Sequence, residues 1–152
     1  MRRTAMVLAA VLGLAACGGT DPGGEQFLAV LSGGNDVPPN FTTLAGATVN
    51  FTARGGAVDY VISVQNISGV TDAGIHVGAA GAVGPLVFDL YAGGTTGSIS
   101  SAVLATGTIT ASGLTALSLD SLKTLMRAGG AYVDITTVSQ PGGEIRGQIH
   151  SN

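Results

Sequence analysis

The sequence predicts a mainly β protein, an antiparallel sandwich or barrel with one short helix near residues 118–128. Apolar and polar residues alternate with a period of two, most clearly over residues 58–65, and such alternation is typical of half-buried strands. Glycine pairs and glycine-rich stretches separate these runs, where turns are needed. One segment, residues 118–130, repeats its apolar residues at helical spacing instead.

The predicted strands follow one another along the whole body of the chain. Runs of β-branched, aromatic or alternating residues occur at 27–31, 47–53, 58–65, 86–91, 103–110, 131–138 and 144–149. The last two runs are predicted to form a hairpin, because Pro141 and Gly142 suit the central positions of a type II turn. Seven or so short strands at this spacing indicate a single β-sandwich or barrel domain.

The helical segment carries its own start and stop signals. Its apolar residues are Leu119, Leu122, Leu125 and Met126. Ser118 can cap the first turn, and Gly129 can adopt the left-handed conformation that ends a helix. Because an apolar stripe on a helix usually faces a core, we expect this helix to form a lid over one end of the sandwich.

Composition excludes several classes of protein. The 152 residues carry a formal net charge of −3 with six basic side chains, too few to neutralise many phosphates, so nucleic acid is not an expected partner. Hydrophobic residues make up 45%, which is too many for an intrinsically disordered chain. The single cysteine cannot form a disulfide within the chain.

The N-terminus has the parts of an export signal. Two arginines at positions 2 and 3 precede a twelve-residue apolar run, which is shorter than the roughly 20 residues of a membrane-spanning helix. The sequence Leu14-Ala15-Ala16-Cys17 resembles the bacterial lipoprotein box. This resemblance implies that residues 1–16 are removed as a signal peptide and that Cys17 is lipidated. The alternative is that Cys17 is an ordinary small residue beside a cleavage site.

Residues 17–26 are rich in glycine and are predicted to be a flexible tether between the lipid and the folded domain. The protein is therefore expected to be exported and anchored in a membrane, at the periplasm, the outer membrane or the cell surface. Gly18 replaces the aspartate that retains some bacterial lipoproteins at the inner membrane, which favours the outer membrane or the surface.

Four stretches, taken in order, resemble the CHRD domain, the module repeated in chordin. They lie at residues 27–39, 45–47, 67–87 and 132–149, and the last contains Gly143-Glu144-Ile145-Arg146-Gly147-Gln148-Ile149, the most specific part of the match. The resemblance covers about residues 27–150, which we take as the domain. It implies a Greek-key β-sandwich similar to that of copper/zinc superoxide dismutase.

Metal binding at His76 is the sharpest alternative function. The family resemblance implies a His-Ile-His pair whose imidazoles would share one strand face, as a copper or zinc site requires. This chain has Gly74 in place of the first histidine, and Thr136 where the family often has another. His76 is therefore expected to have a structural hydrogen-bonding role, with metal binding as the alternative and no cofactor assigned.

Glu144 and Arg146 are the remaining residues singled out as a binding or structural motif. Residues i and i+2 of a strand share a face, so the two side chains can form an ion pair, either exposed or partly buried. No catalytic motif accompanies them. The expected function is therefore a non-enzymatic binding or structural module that meets a protein partner outside the cytosol, and the sequence does not identify that partner.

Overall fold

The computed structural model describes residues 23–152, which form eight strands, one helix and two short 3-10 turns. The strands are β1 (Glu25–Ser32), β2 (Gly46–Arg54), β3 (Ala57–Ser68), β4 (Val70–Val77), β5 (Leu86–Tyr91), β6 (Ser98–Thr110), β7 (Ala131–Thr137) and β8 (Ile145–Ser151). The helix α1 is Leu119–Arg127. The predicted signal peptide, Cys17 and most of the predicted tether lie outside the described residues.

All eight strands belong to one antiparallel sheet in the order β5-β4-β7-β8-β1-β2-β3-β6. The two outer strands of this order, β5 and β6, contact each other, so that the sheet nearly closes on itself. Tyr60 of β3 contributes to the closure, because its hydroxyl donates a 2.8 Å hydrogen bond to the Leu90 carbonyl of β5. The predicted mainly β sandwich- or barrel-like fold is confirmed.

The core lies inside the curled sheet and is filled by one face of each strand. Along β3 the buried and exposed residues alternate as the sequence predicts, with Val58, Tyr60, Ile62 and Val64 buried. The largest fully buried side chains include Phe27, Phe51, Ile75 and Ile135. Burying each such side chain contributes about 1.5–3 kcal/mol, which makes this apolar interior the main source of stability.

The predicted helix is confirmed with its start and stop signals. The Ser118 side chain accepts a 3.1 Å hydrogen bond from the Ser121 N–H, and Gly129 has a φ of 66° just beyond the last turn. Leu119, Leu122 and Met126 are buried, because this face of the helix packs against β7 and β8. No helix of residues 23–152 has both the length and the apolar character needed to cross a membrane.

Three details differ from the sequence-based predictions. β4 was not among the predicted strands, and β1 begins at Glu25, inside the segment predicted to be tether. The hairpin turn forms where expected, with the Gly143 N–H donating to the Gln140 carbonyl at 3.2 Å. However, the positive φ belongs to Gly143 (131°) and not to Gly142, so the predicted type II turn is wrong.

The strand register gives the barrel two distinct ends. The entry of β1 at Glu25, the β2–β3 turn and the C-terminus lie together at one end, because Glu25 pairs with Ala53 and the Asn152 N–H bonds the Gln26 carbonyl. The β1–β2 loop, the β3–β4 turn and the β7–β8 turn lie at the other, which we call the far end. The chain therefore enters the fold opposite these three connections.

Candidate functional site

The outward face of β4, β7 and β8 carries the predicted site residues. The register aligns Gly74 with Asp134, Asp134 with Arg146, and Arg146 with Ser32 of β1, which makes one row across four strands. His76 lies in the next row, opposite Tyr132. His76 and Arg146 therefore come from the two strands that flank β7.

Tyr132 joins these two predicted residues in a stack. The His76 and Tyr132 rings are nearly parallel, with centroids 5.1 Å apart and 12° between their planes. The Arg146 guanidinium carbon lies 3.4 Å from the centre of the Tyr132 ring. Such cation–π contacts contribute about 2 kcal/mol when desolvated, and Arg146 is only 3% exposed. We call this group the His76–Arg146 stack.

The stack holds the β4–β5 loop, residues 78–85, against the sheet. His76 Nδ1 donates to the Gly84 carbonyl at 3.0 Å, and the Tyr132 hydroxyl accepts the Gly84 N–H at 3.0 Å. Arg146 donates to the carbonyls of Ala79 (3.2 Å) and Ala82 (2.7 Å). These bonds satisfy the polar groups of a loop that has no secondary structure of its own.

Glu144 and Arg146 are two positions apart in the chain, but their side chains do not form an ion pair, so the predicted ion pair is wrong. Glu144 is buried (8% exposed) and accepts hydrogen bonds from the hydroxyls of Thr43 (2.7 Å) and Thr137 (2.6 Å). The alternation argument fails because β8 begins only at Ile145. Glu144 therefore belongs to the turn and joins the β1–β2 loop to the end of β7, while Arg146 serves the β4–β5 loop.

Two further carboxyl groups, which the sequence did not predict to lie together, converge beside this row. An ideal β-carbon on Gly143 would lie 2.9 and 3.0 Å from the carboxylate oxygens of Asp36 and 3.1 Å from Asp134 Oδ1. Asp36 is only 7% exposed, and its Oδ1 accepts the Val37 N–H at 2.7 Å. Asp134 Oδ1 is buried and has no hydrogen-bond partner among the described residues. We call these two residues the Asp36–Asp134 pair.

The surroundings of the Asp36–Asp134 pair favour a proton on Asp134. Burial, and to a lesser extent the nearby charge of Asp36, raise the pKa of Asp134 from 3.8 to about 7. Arg146 and the backbone of Ile135 oppose this effect only in part. The pKa of Asp72 on β4 is also raised, by burial and by the nearby charge of Asp89. A neutral Asp134 carboxyl can donate a hydrogen bond, which the ionised form cannot.

An open groove of about 660 Å3 runs over the outward face of β1 and β8. Its apolar lining includes Leu28 and Val30 of β1 together with Val37 and Pro39 of the β1–β2 loop. Val30 is 59% exposed although it lies in the interior of a strand. Since the outward face of an antiparallel sheet is usually polar, exposed aliphatic side chains at this position require an explanation.

The structure gives no support to metal binding at His76. Within residues 23–152, no three His, Cys, Asp or Glu side chains are grouped so that they could hold a metal ion. A β-carbon at position 74 would overlap Leu86 Cδ1, so any side chain at this position would require the Leu86 side chain to move. Thr136 bonds Thr71 through their hydroxyls at 2.9 Å.

Comparison with known proteins adds one assignment. No curated protein and no solved structure matches the chain. The family model of the CHRD domain matches residues 27–149, which include all eight strands almost to their ends. The sequence resemblance at the hairpin around Arg146 is therefore part of a match over most of the chain. The chain belongs to the CHRD domain family.

Proposed function

We propose that this protein is a lipid-anchored binding module of the cell envelope, and that the groove over β1 and β8 receives an extended, uncharged segment of a protein partner. The observation that carries the proposal is the exposed apolar lining of this groove, in which Val30 is 59% exposed. The volume of about 660 Å3 lies within the range of ligand sites in proteins. The resemblance to a module of chordin, which acts in extracellular recognition, supports the same class of function.

The charge of the groove favours an uncharged apolar segment as the occupant. Asp36 and Arg146 are the two lining residues with formally charged side chains, and both are buried and already hydrogen-bonded. The accessible lining therefore offers apolar contacts from Leu28, Val30 and Pro39 beside uncharged polar groups. A strongly charged partner segment would lose hydration here without gaining an ionic partner.

Peptide selection tests the groove directly. A phage-displayed library of 12-residue peptides selected on the full-length protein in detergent is expected to yield uncharged, apolar sequences. Their affinity should fall at least tenfold in Val30→Lys, a loss of about 1.4 kcal/mol, because the ammonium would occupy the apolar lining. Val103→Lys is the matched control, since Val103 is 58% exposed on β6 and does not line the groove. Equal loss in both variants, or no enriched peptides, would contradict the proposal.

The anchor has a separate test, since Cys17 lies outside the described residues. Cys17→Ser is expected to move the protein from the membrane fraction to the soluble envelope fraction and to abolish incorporation of radiolabelled palmitate. The physical reason is that lipid chains supply about 0.8 kcal/mol per buried methylene, and the variant has no thiol to carry them. A variant that stays in the membrane fraction would show that the attachment does not depend on this cysteine.

A further inference from the structure

The Asp36–Asp134 pair lies between two far-end segments, the β1–β2 loop and the end of β7, which the Thr43–Glu144 hydrogen bond also joins. Asp36 begins the irregular part of the β1–β2 loop, after the 3-10 turn Gly33–Asn35, whereas Asp134 is fixed in β7 beside the β7–β8 turn. A cleft of about 280 Å3 separates the two segments, lined on one side by Asp36 and Pro38 and on the other by Gln140 and Gly143. The two carboxyl groups meet beside Gly143, at the edge of this cleft.

The charged groups around the pair give Asp134 no ion-pair partner among residues 23–152. On β8, Arg146 lies opposite Asp134 in the register, but its hydrogen bonds go to Ala79 and Ala82 and it forms no ion pair with Asp134. On β4 and β5, Asp72 and Asp89 add negative charge, and His76 beside them is bonded to Gly84.

In the β7–β8 turn, Glu144 is held by Thr43 and Thr137. No cationic side chain of the described residues therefore pairs with Asp134, whose buried Oδ1 is left without a donor.

We propose that a proton on Asp134 latches the β1–β2 loop, through Asp36, onto β7 beside the β7–β8 turn. The Asp134 carboxyl donates its O–H to a carboxylate oxygen of Asp36, which satisfies the buried Oδ1. When the proton leaves to solvent, two carboxylates face each other, and the part of the loop around Asp36 is released while Thr43 stays bonded to Glu144. The latch is closed in acid and open in mild alkali.

The sign of the pH dependence follows from the direction of the pKa shift. The folded protein keeps a proton on Asp134 up to about pH 7, whereas the unfolded chain releases it near 3.8. The folded state thus binds more protons between these values, so its stability falls as the pH rises through this window. The contribution is complete below about pH 4 and lost above about pH 7.

The latch also governs one wall of the groove, because Asp36, Val37 and Pro39 line both the cleft and the groove. Release of the loop would widen the groove, so partner binding would become pH-dependent. This consequence rests on the proposed function, whereas the latch itself does not. The experiment below therefore uses the protein without any partner, and its outcome is independent of whether the groove binds peptides.

The decisive variant is Asp134→Asn in the full-length protein, because the amide keeps the shape and can donate to Asp36 without titrating. The melting temperature of the wild-type protein is expected to fall between pH 5 and pH 8. The melting temperature of the variant should stay constant over this range and should be higher than that of the wild-type protein at pH 8. Amide exchange of Val37 and of residues 40–43, corrected for intrinsic rates, should lose about tenfold protection over this range in wild type only. Asp59→Asn, which removes an exposed acid bonded to Thr108, should keep the wild-type slope.

Two further measurements test the latch even if Asp134→Asn disturbs the fold. A carbon-detected NMR titration of wild-type Asp134 should give a midpoint near 7, and a midpoint near 4 would overturn the latch. A melting temperature at pH 8 that rises with millimolar Ca²⁺ in wild type but not in Asp134→Asn would show that the pair holds a metal ion instead of a proton. A variant that retains the wild-type pH slope would also contradict the proposal.

Discussion

Arg146→Met is expected to lower the free energy of unfolding by about 3 kcal/mol, measured by urea denaturation at pH 6. The substitution keeps an unbranched side chain of comparable length but removes the donor to the Ala82 carbonyl and one of the two donors to the Ala79 carbonyl, which still accepts the Ala82 N–H at 3.0 Å. It also removes the cation over the Tyr132 ring. The β4–β5 loop should then show the largest loss of amide-exchange protection, because the His76–Arg146 stack holds it.

Two other arginine variants separate this effect from charge alone. Arg146→Lys keeps the charge but not the planar guanidinium, so an intermediate loss is expected. Arg127→Met breaks the surface ion pair with Glu25 and should change the stability much less than Arg146→Met, because both partners are substantially exposed. If Arg146→Met were as stable as wild type, the His76–Arg146 stack would contribute nothing to the fold.

Gly147→Ala is expected to destabilise the protein by about 3 kcal/mol through a clash between two backbones. A β-carbon at this position would overlap the Val30 carbonyl oxygen and lie 2.7 Å from the Val30 carbonyl carbon. Because these are main-chain atoms of the neighbouring strand, relief requires β8 to move away from β1. Thermal unfolding followed by circular dichroism measures the loss, and amide exchange in β1 and β8 should rise together.

The matched control for this change is Gly142→Ala, three residues before β8. Its β-carbon would meet nothing within 4 Å, so the melting temperature should change by no more than a degree or two. A Gly147→Ala variant that melted at the same temperature as Gly142→Ala would show that the β1–β8 contact yields easily. The expected contrast explains why glycine follows Arg146 in the most specific segment of the family resemblance.

The elements set by local sequence were predicted well. The helix was located because Ser118, the 3.6-residue apolar spacing and Gly129 all act within one short segment. β3 was located because its apolar residues alternate over most of its length. β4 was missed because Ala73, Gly74 and Ile75 are buried in succession, so the strand has no clear alternation with polar residues.

The sequence analysis named His76, Glu144 and Arg146 as site residues, but it did not predict which residues they contact. The partners of Glu144 and Arg146 lie far away in sequence: Thr43 is 101 residues from Glu144, and Ala82 is 64 residues from Arg146. Spacing along one strand cannot show such contacts, because they depend on where two irregular loops fold back. The Asp36–Asp134 pair escaped prediction for the same reason, since its members are brought together only by the β1–β8–β7 order.

The central position of β1 decides how the fold would respond to tension from its N-terminal side. β1 is hydrogen-bonded to β8 on one edge and to β2 on the other, and the chain enters it at Glu25 along the strand direction. A pull applied there would load both ladders in shear, so many hydrogen bonds would have to break together. A strand pulled sideways from a sheet edge unzips bond by bond, and this geometry protects the domain against that mode of mechanical failure.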